Sequence, residues 1–381
     1  LAALLVLGLA GAARGLQQAA PPEVPPLILE DFETATIGAR PYLWREAKQG
    51  AMQATLGAEK AELDGSDANK GLKLEYTFPA TFAEGQGVEA GPGLRPGSAG
   101  QPLPGSMTAL SLMVYGDASK NGIGVRLRDR SGERFEWQTP VTWTGWRKME
   151  IPLDPKTAAR SGARANGVLD LPLTFDAVRV ARLPGGAAKG ETLVDNLTAI
   201  CRFARVTTLY DTRDGAKLDG WQAHRNRSTV GTVSESLVPR AGKDVPALKL
   251  EYEYENAGDA SVEYSHTLPA GEGHGTLLAD VFGDGSNNIL RFRMLDGEGH
   301  PWQATSATIL VDWSGWKTLY VDTRTLRDPS GPDPSAPLEK FPVRFQSLII
   351  DDCSPGDALP GVESGRKGEI YLGRLLFGAE R

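Results

Sequence analysis

Apolar and polar residues alternate along the informative stretches of this chain. In Gly124-Val125-Arg126-Leu127-Arg128-Asp129, Val125 and Leu127 fall on one side and Arg126 and Arg128 on the other, and Leu290-Arg291-Phe292-Arg293-Met294 repeats the arrangement. Leu72, Leu74 and Tyr76 alternate with Lys73 and Glu75, as Leu248, Leu250 and Tyr252 do with Lys249 and Glu251. Period two marks a strand with one buried face. No segment of more than a few turns carries a helical stripe. Gly116-Asp117-Ala118-Ser119 and Gly283-Asp284-Gly285-Ser286 are turn-forming runs between strand-like segments, so each predicts a hairpin connection. The expected fold class is all-β, built of antiparallel β-sandwiches.

The pattern occurs twice. Val114 to Asn121 opens a block that closes on Val141-Thr142-Trp143-Thr144-Gly145-Trp146-Arg147. Val281 to Asn288 opens another that closes on Val311-Asp312-Trp313-Ser314-Gly315-Trp316-Lys317. The step is 167 residues at the first motif and 170 at the second, so the second copy carries three inserted residues. Gly71 to Phe78 matches Ala247 to Tyr254, and Leu29-Glu30-Asp31-Phe32-Glu33 matches Leu209-Tyr210-Asp211-Thr212. A duplication defines modules before any chemistry is assigned. The expected division is 1–26 as leader and spacer, 27–203 as the first domain and 204–381 as the second, each long enough to bury a core.

Leu1 to Leu9 is apolar and uncharged, followed by Ala10-Gly11-Ala12-Ala13, which reads as a truncated signal peptide. A membrane span needs about 20 apolar residues, and Arg14 interrupts the run earlier. Pro21 to Pro26 forms a stiff spacer. The mature protein is therefore expected to be secreted, periplasmic or on the cell surface, with no membrane span. Lys plus Arg number 41 and Asp plus Glu 48, giving a net charge of −7 without long runs, which argues against nucleic acid and anionic membranes. Forty-five Gly and 26 Pro suit short strands and many turns. Cys201 and Cys353 allow one bridge between the domains, or two unpaired thiols.

The string of a V-[YF]-G-D-x-S-x-N turn, an R-x-R strand with a following Asp, and V-x-W-[ST]-G-W-[RK], with Glu30-Asp31-Phe32-Glu33 near the start and Met149-Glu150-Ile151-Pro152-Leu153 after the first copy, resembles carbohydrate-binding-module-like jelly rolls of the galactose-binding-like superfamily. The resemblance covers nearly all of the mature chain and implies a tandem pair of jelly rolls. It also implies a structural calcium where the ends of a unit meet, for which Glu30, Glu33 and Asp195 are the expected ligands, with Asp31 and Asn196 nearby. The second unit has Tyr371-Leu372-Gly373 in place of Val194-Asp195-Asn196, so a second site is not expected. Such jelly rolls also occur in enzymes, surface proteins and assembly factors, so fold does not fix function.

Sugar rings offer flat apolar faces ringed by hydroxyls, which aromatic platforms and flanking polar groups recognise. Trp137 and Trp302 are the expected platforms, partly exposed beside Arg126, Arg128, Arg291 and Arg293. Glu75 and Glu251 are expected on the same polar faces, with Lys73 and Lys249. Two readings compete with this one. Each Trp would close the core instead, and the charges would simply pair across strands. Trp143, Trp146, Trp313 and Trp316 are expected to serve shape. All four His lie in the second unit without metal-binding spacing, and no nucleophile elbow or phosphate loop is present.

Three functions follow in order. The first is an exported non-catalytic protein that binds polysaccharide or a glycan-bearing surface through two linked sites. The second is a structural component of a cell envelope or extracellular assembly, which buried indoles would favour. The third is a polysaccharide lyase or hydrolase using His266 or His300.

Overall fold

The computed structural model describes residues 24, 27–32, 44–47, 53–57, 70–79, 87–92, 102–162, 166–213, 215, 217–255, 260–304, 309–328, 336–352 and 364–380. The leader, Glu33 and Cys353 lie outside them.

The chain before residue 204 supplies β1 (Leu27–Glu30), β2 (Trp44–Ala47), β3 (Gln53–Gly57), β4 (Gly71–Thr77), β5 (Gly87–Pro92), β6 (Met107–Asp117), β7 (Gly122–Arg128), β8 (Arg134–Pro140), β9 (Thr144–Pro152), β10 (Ala159–Ser161), β11 (Thr174–Ala181) and β12 (Lys189–Cys201). The remainder supplies β13 (Arg205–Asp211), β14 (Gln222–Asn226), β15 (Ser228–Arg240), β16 (Lys243–Tyr254), β17 (Ser261–Gly271), β18 (Gly275–Asp284), β19 (Ile289–Leu295), β20 (Pro301–Ala304), β21 (Ile309–Leu310), β22 (Ser314–Asp322), β23 (Leu326–Arg327), β24 (Val343–Asp351) and β25 (Lys367–Ala379). They form four antiparallel sheets. In the first unit the order is β3-β4-β12-β6-β9, with β1 also on β12, against β10-β8-β7-β11-β5-β2. In the second it is β15-β16-β25-β18-β22, with β13 also on β25, against β14-β17-β24-β19-β20-β23, with β21 also on β19. The all-β sandwich expectation holds, and no helix among the described residues is long and apolar enough to cross a membrane.

The repeated G-D-x-S-x-N motif ties each sandwich together at the end of β6 or β18. Tyr76 donates to Asp117 Oδ2 at 2.8 Å, and Asn121 Nδ2 donates to the Tyr76 hydroxyl at 3.2 Å and to the Ala187 carbonyl at 2.9 Å. In the second unit Tyr252 reaches Asp284 Oδ2 at 2.7 Å, and Asn288 reaches Tyr252 and the Gly365 carbonyl, both at 2.9 Å. Burial pushes the Tyr76 hydroxyl up to about 12, so it stays a donor. Gly116 and Gly283 are required by close approach: a Cβ there would lie 2.5 and 2.6 Å from the carbonyl oxygens of Trp143 and Trp313.

The two units pack on each other. Leu278 and Leu376, on the outer face of the second unit's first sheet, are buried in the apolar cluster of the first unit, with Tyr320 and Val206 against it. Beside this contact the Gly105 amide donates to Asp322 Oδ2 at 2.6 Å, and Arg324 bonds Asp322 at 3.3 Å and Glu380 Oε1 at 2.6 Å. Burial pushes the Asp322 carboxyl up to about 6, while Arg324 pulls the other way. Cys201 is a free thiol nearby, pushed up to about 12 by burial.

Candidate functional site

Trp137 and Trp302 are not platforms. They are 5% and 8% exposed and belong to the two cores. Strand parity is the reason. Trp137 lies opposite Val125, and Trp302 opposite Met294, so each points inward with those core residues. Each indole N–H is satisfied inside, by the Asp154 carbonyl at 3.0 Å and by Asp296 Oδ2 at 3.2 Å. Glu75 and Glu251 also fall elsewhere than expected, because β4 and β16 belong to the sheets opposite those that carry β7 and β19. There Lys73 is held by Glu75 and Glu191 at 3.1 and 3.0 Å, and Lys249 by Glu251 and Glu369 at 2.8 and 2.7 Å.

Arg126 and Arg128 stand on the outer face of β7, and the chain brings carboxylates to them from strands distant in sequence. Arg126 donates to Glu89 Oε1 at 2.8 Å and to Asp176 Oδ2 at 2.5 Å, and Arg128 donates to Asp176 Oδ1 at 2.5 Å. Arg179 completes the floor with Glu136, at 2.5 and 2.6 Å. Burial alone would raise the Asp176 carboxyl, but Arg126 and Arg128 hold it below the usual carboxylate range. Gly124 keeps this strip low, since a Cβ there would lie 1.8 Å from the Trp137 carbonyl. Side-chain exposure of Arg126, Asp176 and Glu136 is 13, 7 and 9%, so the floor is mostly shielded from solvent.

The second unit repeats the central pair. Arg293 Nη1 donates to both Glu263 oxygens at 2.9 Å and Arg293 Nη2 to Gln303 at 3.2 Å, while Ser347 donates to Glu263 at 2.5 Å. Arg291 pairs with Asp351 on the same face. The ladders make Arg126 equivalent to Arg293, because Arg126 faces Ala177 next to Val178 opposite Val125, as Arg293 faces Ser347 next to Leu348 opposite Phe292. Glu89, Asp176, Glu136, Arg179 and Glu263 escaped the sequence reading. Their signal is a single charge between buried neighbours, as Glu89 lies between Val88 and Ala90, but pairing them with Arg126 requires the fold.

The aromatics that reach the surface lie on the opposite sheets, at the second Trp of each W-x-G-W motif. Tyr115 meets Trp146 edge-on with ring centroids 5.6 Å apart. In the second unit Phe282 meets Trp316 and Tyr371, each with centroids 5.7 Å apart, and Arg240 covers the Trp316 ring at 4.9 Å. The first Trp of each motif packs on a core, as expected.

The ends of the first unit do meet, with Glu30 opposite Leu197 across β1 and β12. Glu30 Oε1 accepts from the Phe32 amide at 2.8 Å, and Asp195 accepts from the Asn196 amide at 2.6 Å. Among the described residues no group of three or more His, Cys, Asp or Glu is gathered for a metal. Two carboxylates fall well short of the roughly 6–8 oxygens that calcium takes, and Glu33 lies outside the described residues. His266 lies against Trp221 with centroids 5.4 Å apart, and His300, on an exposed turn, has Nδ1 3.8 Å from both Asp296 and Glu298.

No protein-family model matches the chain, and no curated protein sequence does. Among solved structures, the chain is similar to the family 11 carbohydrate-binding module of a cellulosomal cellulase of Clostridium thermocellum, at 17% identity and TM-score 0.33, covering 48% of this chain and 97% of that one. It is similar over both units to the tandem CBM22 pair at the N-terminus of Paenibacillus barcinonensis Xyn10C, at 13% identity and TM-score 0.26, covering 93% and 98%. The enzymatically active domain of tailspike protein 4 of bacteriophage CBA120 also matches, at 13% identity and TM-score 0.29, covering 45% and 21%. The sandwich assignment rests on the strand pairing, and the functional reading on the chain's own side chains.

Proposed function

We propose that this chain is an exported, non-catalytic tandem carbohydrate-binding protein that grips a polysaccharide through the arginine-bearing faces of its two sandwiches. The observation that carries the reading is the duplicated pair: Arg126 with Glu89 and Arg293 with Glu263 stand at equivalent positions on the same face of corresponding sheets in the two units. Guanidinium and carboxylate groups fixed by one another are preorganised hydrogen-bonding partners for sugar hydroxyls. Each guanidinium on the floor is met by a carboxylate, which suits an uncharged chain of sugars. Two modest sites in one chain raise avidity through effective concentration.

The assembly reading stands second, favoured by the buried indoles and by the sandwich-to-sandwich contact at Leu278 and Leu376. It asks for a contiguous apolar patch; Val168, Leu218 and Leu237 stand on separate elements or loops, while Ile28 and Tyr115 are exposed on β1 and β6 of one sheet. A glycan array on the mature chain tests the first reading. Binding to neutral polysaccharide is expected, halved or worse by Arg126→Ala or Arg293→Ala and lost in the double variant. An empty array, or a double variant that binds unchanged, would put assembly first.

A calcium ion at Glu30, Glu33 and Asp195 is a separate proposal for the first unit. Calcium should then raise the melting temperature of the chain by mass action, and Glu30→Gln should remove the shift. No shift with calcium or chelator ends that proposal.

A further inference from the structure

The first unit carries a second candidate surface, on the sheet opposite the arginine floor. A cleft of about 530 Å3 opens on the outer face of β6, β9 and β12 beside β1, with Ile28, Met113 and Ile200 as apolar walls and Ser111, Thr198 and Lys148 as polar ones. That volume lies in the ordinary range for small-ligand sites, about 300–1,000 Å3. Met113 faces Lys148 in the β6–β9 ladder, and Tyr115 faces Trp146 two residues further on, so the aromatic pair continues from the cleft along the same face. Tyr115 is 41% exposed.

Two further observations narrow the occupant. Lys148 makes no ion pair or hydrogen bond among the described residues, whereas Lys73 on the same sheet face is held by two carboxylates. The positions of the second unit that match Ser111 and Thr198 are Leu278 and Leu376, which also face each other across two strands and are covered by the first unit. Where one unit presents leucines to a neighbouring sandwich, the other sets buried Ser111 and half-buried Thr198, whose hydroxyl donates to the Asn196 carbonyl at 3.0 Å, at the wall of an open cleft. That substitution leaves a cleft with apolar walls and a few polar groups, the lining that suits a small amphipathic ligand.

We propose that the cleft and the Tyr115–Trp146 ledge form a second glycan site, taking a short oligosaccharide that bears a carboxylate or sulfate, with a sugar face against the aromatic pair and the anion at Lys148. Aromatic rings supply the apolar contact and an ammonium the charge-assisted hydrogen bond. This site does not depend on the arginine floor.

Calorimetric titration of the full chain with tetragalacturonate, a sulfated tetrasaccharide and neutral cellotetraose tests it. At least one anionic ligand should bind, more weakly as salt rises. Lys148→Met should weaken that binding roughly tenfold, the scale of one charge-assisted contact, and flatten its salt dependence. Trp146→Ala should weaken it by a similar factor, with Tyr115→Ala as the alternative if the tryptophan variant melts early. The Arg126→Ala, Arg293→Ala double variant should bind the anionic ligand as wild type does, which separates this site from the floor. Failure of both anionic ligands to bind overturns the proposal. So does binding that survives Lys148→Met and Trp146→Ala, or that disappears in the double floor variant. Self-association abolished by Trp146→Ala without any sugar binding would assign the cleft to a second copy of the chain and overturn it equally.

Discussion

The same patch of the same sheet has opposite character in the two units. Ser111, Glu150 and Thr198 line up across β6, β9 and β12 of the first, and Leu278, Tyr320 and Leu376 take their places across β18, β22 and β25 of the second. The leucines are buried against the first unit; the serine and threonine walls border an open cleft. Duplication therefore preserved the frame, namely the ladders and the tyrosine–aspartate–asparagine ties, while the exposed face diverged. Positions that hold a sandwich together and positions that meet the outside are under different physical demands.

The comparison breaks first at the leucines. Leu278→Ala and Leu376→Ala should each cost about 2–4 kcal/mol, the range for truncating a buried leucine, whereas Ser111→Ala and Thr198→Ala should stay within about 1 kcal/mol. Urea unfolding of the full chain measures both, and equal costs in the two units would remove the contrast. The ties should behave alike instead. Asn121→Ala and Asn288→Ala each strand a buried tyrosine hydroxyl and a carbonyl, and each is expected to cost about 1–3 kcal/mol. A difference between them larger than about 1 kcal/mol would show that the two ties are not equivalent.

The inter-unit contact also has a pH signature. Asp322 is pushed from the usual 3.8 up to about 6 by burial, so between those two values the folded chain holds a proton there that the unfolded chain releases. Its contribution is most favourable below the unfolded value and is lost as pH rises through about 6. Lowering the pH from 7 to 5 should stabilise the wild type relative to Asp322→Asn by on the order of 1 kcal/mol, read as the difference between two melting curves. An identical pH response in both proteins would mean that Arg324 and the Gly105 amide already compensate the buried charge.

Much of the fold was legible in the sequence because strand parity and duplication are local signals. Val125 and Leu127 against Arg126 and Arg128 fix which side of β7 is wet without reference to any other strand. The same parity, applied to Arg134-Phe135-Glu136-Trp137-Gln138, places Trp137 with Phe135 on the dry side, yet that follows only once β8 is known to lie beside β7. Glu75 alternates as Arg126 does but lies on the other sheet. Alternation tells which side of a strand faces out, not which of two sheets the strand joins. The floor's carboxylates come from β5, β8 and β11, and the cleft is walled by four strands, so neither is written in any one segment.

Affinity electrophoresis of the full chain through gels containing neutral polysaccharide tests the central claim most directly, with wild type and the Arg126→Ala, Arg293→Ala double variant run side by side. Retardation of the wild type by at least one polysaccharide, with free migration of a folded double variant, is the result expected of two equivalent polar floors. Equal retardation of both proteins, or free migration of both in every polysaccharide tried, would contradict it.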